Sequence, residues 1–174
     1  RPEIDRWIIS LLNSLIKEVD EYYASYEPTR AGRAIADFVN DNLSNWYVRL
    51  CRRRFWKGDY SDDKISAYQT LYTCLETIAK LSAPIAPFFM DQLFQDLNAV
   101  TGKDKNESVH LTDFPVANEA LIDLDLVETT HLAQQITSMV FSLRKKENMK
   151  VRQPLQKVLI AFLEKKKKKQ ILAV

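Results

Sequence analysis

Glycine is scarce in this chain: three among 174 residues, where ~7% is ordinary usage. That scarcity argues against a turn-rich β protein, and no Gly-rich phosphate loop or Walker pattern occurs. Cysteine is scarcer still. Cys51 and Cys74 form neither a disulfide framework nor a Cys-x-x-Cys zinc knuckle. Both fall in segments read as helix, so they are expected to be reduced core residues of a cytoplasmic protein. No run of about 18 apolar residues exists, so no membrane span is expected. The N-terminus has no apolar signal region, so no secretion is expected. Net charge is only +2, so any contact with a polyanion must come from a local patch. No motif gathers serine, histidine and acid around a nucleophile, so no catalytic residue is expected.

What is present is a globular composition, 46% apolar and 28% charged, long enough to bury a real core. Helical periodicity dominates. Ile4, Ile8, Leu11, Leu15, Val19, Tyr22 and Tyr26 recur at three- and four-residue spacing, with Trp7, Leu12 and Ile16 widening the stripe. This predicts a helix over 3–26 with those tyrosines in the core. Pro28 starts a second helix, about 29 to 41. The poor helix formers Asp41-Asn42-Leu43-Ser44 predict a bend.

Ser61 or Asp62 caps a third helix to about Leu81, whose expected core face is Ile65, Tyr68, Leu71, Tyr72, Leu75, Ile78 and Ala79. Pro84 and Pro87 precede a fourth helix with Phe88, Phe89, Leu93, Phe94 and Leu97. A long irregular connection through Thr101–Ser108 to Pro115 is expected to cross the surface. Asn118 is the expected cap of a fifth helix to about Lys146, buried along Ile136, Val140 and Leu143.

Beyond Gln153-Pro154 the pattern changes. Leu155–Phe162 is rich in β-branched residues and leucine and predicts a strand. Glu164 and the run Lys165–Lys169 come next, read as a solvated face, with contact to an RNA backbone the alternative. The expected architecture is therefore mainly α: a bundle of about five helices over 1–150, then the start of a small α/β region over 151–174. The opening Arg-Pro-Glu, in place of Met, is expected of a piece of a longer protein.

One stretch concentrates chemistry. Asn45–Lys57 carries four arginines, a lysine, two tryptophans and a tyrosine, with no acid. On a helical wheel of about 100° per residue, Val48, Cys51 and Phe55 share a stripe to bury. Asn45, Arg49, Arg52, Arg53 and Trp56 share another side, with Trp46 at its edge and Arg54 pointing elsewhere. Guanidinium, amide and indole are the groups that hold phosphates and stack on unpaired bases. The bland reading is a basic solvated face whose tryptophans cap a core.

Two spacings invite a metal reading. Glu107-Ser-Val-His110 and Glu128-Thr-Thr-His131 both match the Glu-x-x-His of di-iron bundles. The pairs lie too close together for two facing helices, and the first falls in a loop. No metal site is expected.

The wording of the basic stretch, Leu43-Ser-Asn-Trp-Tyr-Val-Arg49 and Arg52-Arg-Arg-Phe-Trp56, resembles the anticodon-binding domain of the isoleucyl-tRNA synthetases. Pro84-Ile-Ala-Pro-Phe88, Ser108–Pro115 (Ser-Val-His-Leu-Thr-Asp-Phe-Pro) and Lys150-Val-Arg-Gln-Pro-Leu155 resemble the same family in the same order. The Pro-Ile-Ala-Pro and basic-helix features are shared with valyl and leucyl relatives. The resemblance implies a non-catalytic, monomeric piece of a cytoplasmic enzyme that joins isoleucine to its tRNA. ATP and magnesium would act in a catalytic domain elsewhere, and the partner would be the anticodon stem-loop of the isoleucine tRNA, with no DNA and no membrane.

On that basis Asn45, Trp46, Arg49, Arg52, Arg53, Trp56 and Lys57 are the expected tRNA-binding residues. Arginines and the lysine would meet phosphates or base edges, Asn45 would read a base edge, and tryptophans would stack. Arg144, Lys145, Lys150 and Arg152, beside Lys146, form a weaker patch; helix C-terminal cations favoured by the dipole are its plainer reading. A valyl synthetase domain or a basic module docking an acidic protein remain the alternatives.

Overall fold

A computed structural model of the chain describes residues 2–56 and 58–160. The chain divides into two compact units, Arg1–Ile122 and Asp123–Val174.

In the first unit, α1 (Glu3–Ala24) forms on the predicted stripe, and Trp7, Ile8, Leu12, Leu15, Ile16 and Val19 are buried. Pro28 pushes Glu27 out of helical geometry, to φ −111° and ψ 62°. The helix therefore stops at Ala24 in a Schellman turn: Tyr26 N–H donates to Tyr23 O, and Glu27 N–H to Tyr22 O. Tyr26 takes a left-handed φ of 57° and is 93% exposed, not in the core as expected. The turn ends the stripe before reaching it. Tyr23 does bridge inward, donating to Leu81 O at 2.9 Å.

The second correction lies beyond α2 (Pro28–Asp37). The expected bend at 41–44 is absent, because the backbone continues as a π-helix over Phe38–Val48. Each π turn holds about one residue more than an α turn, since its bonds run i→i+5. Burial tracks that wider pitch: Phe38, Leu43, Tyr47 and Cys51 are buried, at spacings of five, four and four. A wheel of about 100° per residue would set Phe38 and Tyr47 on opposite sides, yet both are buried. The short α3 (Arg52–Trp56) completes the segment and buries none of its residues fully.

Helix α4 (Asp62–Ser82) is capped by Ser61, whose Oγ accepts from Lys64 N–H. Its buried face is Ala67, Thr70, Cys74, Ile78, Ala79, Leu81 and Ser82, so Ile78 and Ala79 are buried as expected and Ile65, Tyr68, Leu71, Tyr72 and Leu75 are not. Ile65 and Tyr68 are 40% and 46% exposed. Along Ala67, Thr70 and Cys74 small side chains face inward and allow close approach, while Ile65 and Tyr68 flank the seam. Both cysteines are buried and neither is in a disulfide.

Pro87 starts α5 (Pro87–Thr101), which buries Phe94 and ends at Gly102 with φ 57°, a left-handed cap that glycine adopts without strain. The connection then crosses the unit. Asp91 accepts from Ser108 Oγ (2.7 Å) and Val109 N–H (2.9 Å), and Val109 is buried. Phe114 sets its ring edge against Tyr23, and Asn118 N–H donates to Asn13 Oδ1.

Asn118 caps only a 3-10 turn, Glu119–Leu121. In the second unit α6 (Leu124–Lys146) is capped instead by Asp123, whose carboxylate accepts from Leu126 N–H. Leu143, expected on the buried side, is 63% exposed. Over its described part, 155–160, the expected strand is not formed. Residues 161–174, with the lysine run, lie outside the described residues. No described helix is long and apolar enough to cross a membrane.

Candidate nucleic-acid interface

The four arginines of the basic stretch separate into two environments. Arg49, Arg52 and Arg53 are exposed, and no hydrogen bond or ion pair engages them among the described residues. With Leu50 (58% exposed) and Trp56 (79% exposed) they line an open concavity of about 540 Å³. Cationic forks around an apolar floor with an exposed indole suit a phosphodiester carrying unstacked bases. Leu50 is absent from the residues expected on sequence. Its signal is its helical phase, past Trp46 and beside Lys57 at the edge of the exposed side.

Asn45 is exposed on the π-helix, and Trp46 is half-buried, between the two roles open to it. Neither lines the concavity. Lys57 lies outside the described residues. In the second unit Lys145, Lys150 and Arg152 are exposed. Arg144 turns back on the chain and donates through Nη1 to the carbonyls of Lys150 (2.8 Å), Gln153 (3.0 Å) and Val151 (3.3 Å). Its chemistry there is to tie off the segment after α6.

Arg54 does the opposite of its neighbours. Its Nη1 and Nη2 clamp Asp5 of α1 at 2.7 and 2.9 Å. On the other edge, Nε and Nη2 clamp Asp63 of α4 at 2.9 and 2.8 Å. Nη1 also reaches Cys51 Sγ at 3.3 Å. All five N–H groups of the guanidinium therefore have acceptors. Asp5 is fully buried and accepts additionally from Tyr47 Oη and Ser66 Oγ, both at 2.9 Å.

Burial alone would raise the Asp5 pKa, but hydrogen bonds from Arg54, Tyr47 and Ser66 outweigh it and hold the carboxyl below its ordinary value. Burial, with the Asp5 charge behind it, pushes the Tyr47 phenol far up. The bond to Asp5 raises Arg54 further above its already high value, so the pair stays ionised. The cluster has a sequence signal. Asp5 stands three residues before Ile8 in the apolar stripe of α1, and Arg54 three after Cys51 in the buried row of its own segment. One acid and one base in two apolar stripes call for each other.

Phe55 packs edge-on against Tyr47 (6.4 Å between ring centroids) and Tyr68 (5.3 Å), and Tyr68 Oη donates to Phe55 O at 3.1 Å. Among the described residues, no group of three His, Cys, Asp or Glu side chains could hold a metal ion. His110 lies on the 3-10 turn Val109–Leu111 and His131 on α6.

Likeness to known proteins is specific. Residues 5–159 match the family model of the anticodon-binding domain of tRNA ligase. All 174 residues align at 62% identity with an isoleucine–tRNA ligase of Bacteroides fragilis and at 63% with that of Cytophaga hutchinsonii. An isoleucine–tRNA ligase of Dehalococcoides mccartyi is 54% identical over 92% of the chain. The chain spans only 15–16% of the length of these relatives. The match runs from Asp5, through the basic stretch, to the segment after α6, and on it the chain belongs to the family of tRNA ligase anticodon-binding domains.

Proposed function

We propose that this chain is the anticodon-binding part of an isoleucine–tRNA ligase, a cytoplasmic and monomeric enzyme, and grips the anticodon stem-loop of the isoleucine tRNA. The observation that carries the reading is the concavity framed by the exposed Arg49, Arg52 and Arg53 and floored by Leu50 and Trp56. Arginine forks neutralise phosphates and fix register, which makes binding salt-dependent. Trp56 offers its face to a splayed base, an interaction of ~1–3 kcal/mol. Asn45 and Trp46, on the π-helix before it, would extend the grip along the strand, and Lys57 would add a further cation. Lys145, Lys150 and Arg152 give the second unit a weaker basic edge. Chemistry on isoleucine, with ATP and magnesium, belongs to the remainder of the enzyme, and this piece orients the tRNA towards it.

Fluorescence anisotropy tests the reading, with labelled isoleucine-type, valine-type and scrambled anticodon hairpins at two salt concentrations. The isoleucine hairpin should bind most tightly. Arg49→Ala should lower both affinity and the salt slope, by ~0.9 for each phosphate no longer neutralised. Trp56→Ala should lower affinity about tenfold with the slope unchanged. Equal binding to all hairpins would reduce the face to a generic basic patch. Absence of binding at low salt would sink the RNA reading.

A further inference from the structure

Helix α3 is five residues long and buries none of them fully. A helix that short has no stability of its own. Two consecutive side chains hold it to the rest of the unit. Phe55 is wedged between the rings of Tyr47 and Tyr68. Arg54 is clamped on both edges, by Asp5 of α1 and Asp63 of α4. The residues on either side of this anchor, Arg52, Arg53 and Trp56, are exposed groups of the concavity.

The clamp uses all five N–H groups of Arg54, so no donor remains for RNA in this geometry. A buried ion pair is a weak device for stability, because desolvation offsets its attraction, and apolar residues can often replace it without loss. A planar fork held on both edges does, however, fix orientation, which a lysine cannot do. Ser66 and Tyr47 in turn fix the Asp5 carboxylate from α4 and the π-helix. The orientation of α3 is therefore referred to three other elements.

We propose that Arg54, held between Asp5 and Asp63, is a positioning residue for RNA recognition: it sets α3 so that Arg52, Arg53 and Trp56 meet the anticodon loop without prior ordering. This rests on the function proposed above. Loosening the clamp would make those three side chains order on binding, at a cost in affinity. The number of phosphates neutralised would not change.

The test uses Arg54→Lys, which keeps the charge and loses the fork, in the same 174-residue chain. Asp63→Asn is the milder second variant, since Asp63 is half exposed and the buried Arg54–Asp5 pair survives. Each is measured by anisotropy with the isoleucine-type hairpin across a salt series, at temperatures where circular dichroism shows full helix content. The expected result is an affinity about tenfold lower for Arg54→Lys, a smaller loss for Asp63→Asn, and a salt slope equal to wild type for both. Wild-type affinity in both folded variants would overturn the proposal. So would a slope reduced by about one, because Arg54 would then be a phosphate ligand itself. Should Arg54→Lys fail to fold, Asp63→Asn decides alone by the same criteria. Failure of wild type to bind any hairpin removes the parent reading and this proposal together, an outcome distinct from wild-type-like variants.

Discussion

Arg53 and Arg54 are adjacent in sequence and opposite in physics. Arg53 has no partner among the described residues and lines an open concavity. Arg54 has two carboxylates, a thiol and a buried tyrosine network around it, with only 17% of its side chain exposed. Helical phase alone makes the difference. One residue of rotation carries a guanidinium from solvent to the seam between α1 and α4, where an unsatisfied charge would be costly and a paired one becomes a fixed reference. A basic run in a sequence is therefore not one object. Its members divide into ligands and anchors, and the acid buried on another helix decides which.

The sharpest way to break the comparison is to remove each arginine in turn and measure stability. Arg54→Ala leaves Asp5 buried with its charge uncompensated, and should cost about 3–5 kcal/mol in urea unfolding. Arg52→Ala and Arg53→Ala should leave the unfolding midpoint where it is, since neither side chain is buried or paired among the described residues. Similar losses from Arg53→Ala and Arg54→Ala would mean that the two environments are not energetically distinct.

Much of this division is legible in sequence, because the pattern of residue types carries it. The exposed placement of Arg49, Arg52, Arg53 and Trp56 comes from their spacing, and the same wheel sets Arg54 apart from them. The phase fails where local pitch changes. No residue between Phe38 and Val48 announces a π-helix, so a wheel built on α pitch sets Phe38 and Tyr47 about 180° apart although both are buried. The bend expected at Asp41–Ser44 fails for a related reason: Leu43 and Phe38 bury side chains that keep this stretch helical despite poor propensity. On α4, hydrophobicity favours Tyr68 and Ile65 for the core, yet packing chooses Ala67, Thr70 and Cys74. Close helix approach rewards small volume, which a hydropathy pattern does not record.

A smaller effect is expected from pH. The Asp5 carboxyl is held below its unfolded value, so its contribution is fully present above about pH 4 and is lost as pH falls through the folded pKa. The sign comes from proton uptake: in that window the unfolded chain binds the proton first. Half-buried Asp91 and Asp104 are also lowered, by hydrogen bonds from Ser108 and Asn106 respectively. Wild type should therefore be compared with Asp5→Asn. Unfolding free energy should fall more steeply below pH 4 in wild type than in the variant. Parallel curves would show that Asp5 does not titrate with folding, and the anchor would then be a neutral one.

The smallest effect concerns the edge of the same network. Thr70 of α4 is fully buried, and its hydroxyl makes no well-formed hydrogen bond among the described residues, only a weak interaction with the Tyr47 phenol. Tyr47 has a single phenolic proton, and the Asp5 carboxylate at 2.9 Å takes it in preference to the Ala67 carbonyl at 3.3 Å. A poorly paired buried hydroxyl is a cost, and valine keeps the shape while removing it. Thr70→Val should therefore raise stability by about 1 kcal/mol, read from the urea midpoint at unchanged slope, and leave hairpin affinity as it was. A loss of stability would mean that the hydroxyl donates to the Tyr47 oxygen, placing Thr70 within the anchor that holds Arg54 away from the concavity. A gain closes the network at Asp5, Tyr47, Arg54, Asp63 and Ser66, and leaves the neighbouring arginines Arg49, Arg52 and Arg53 to the ligand.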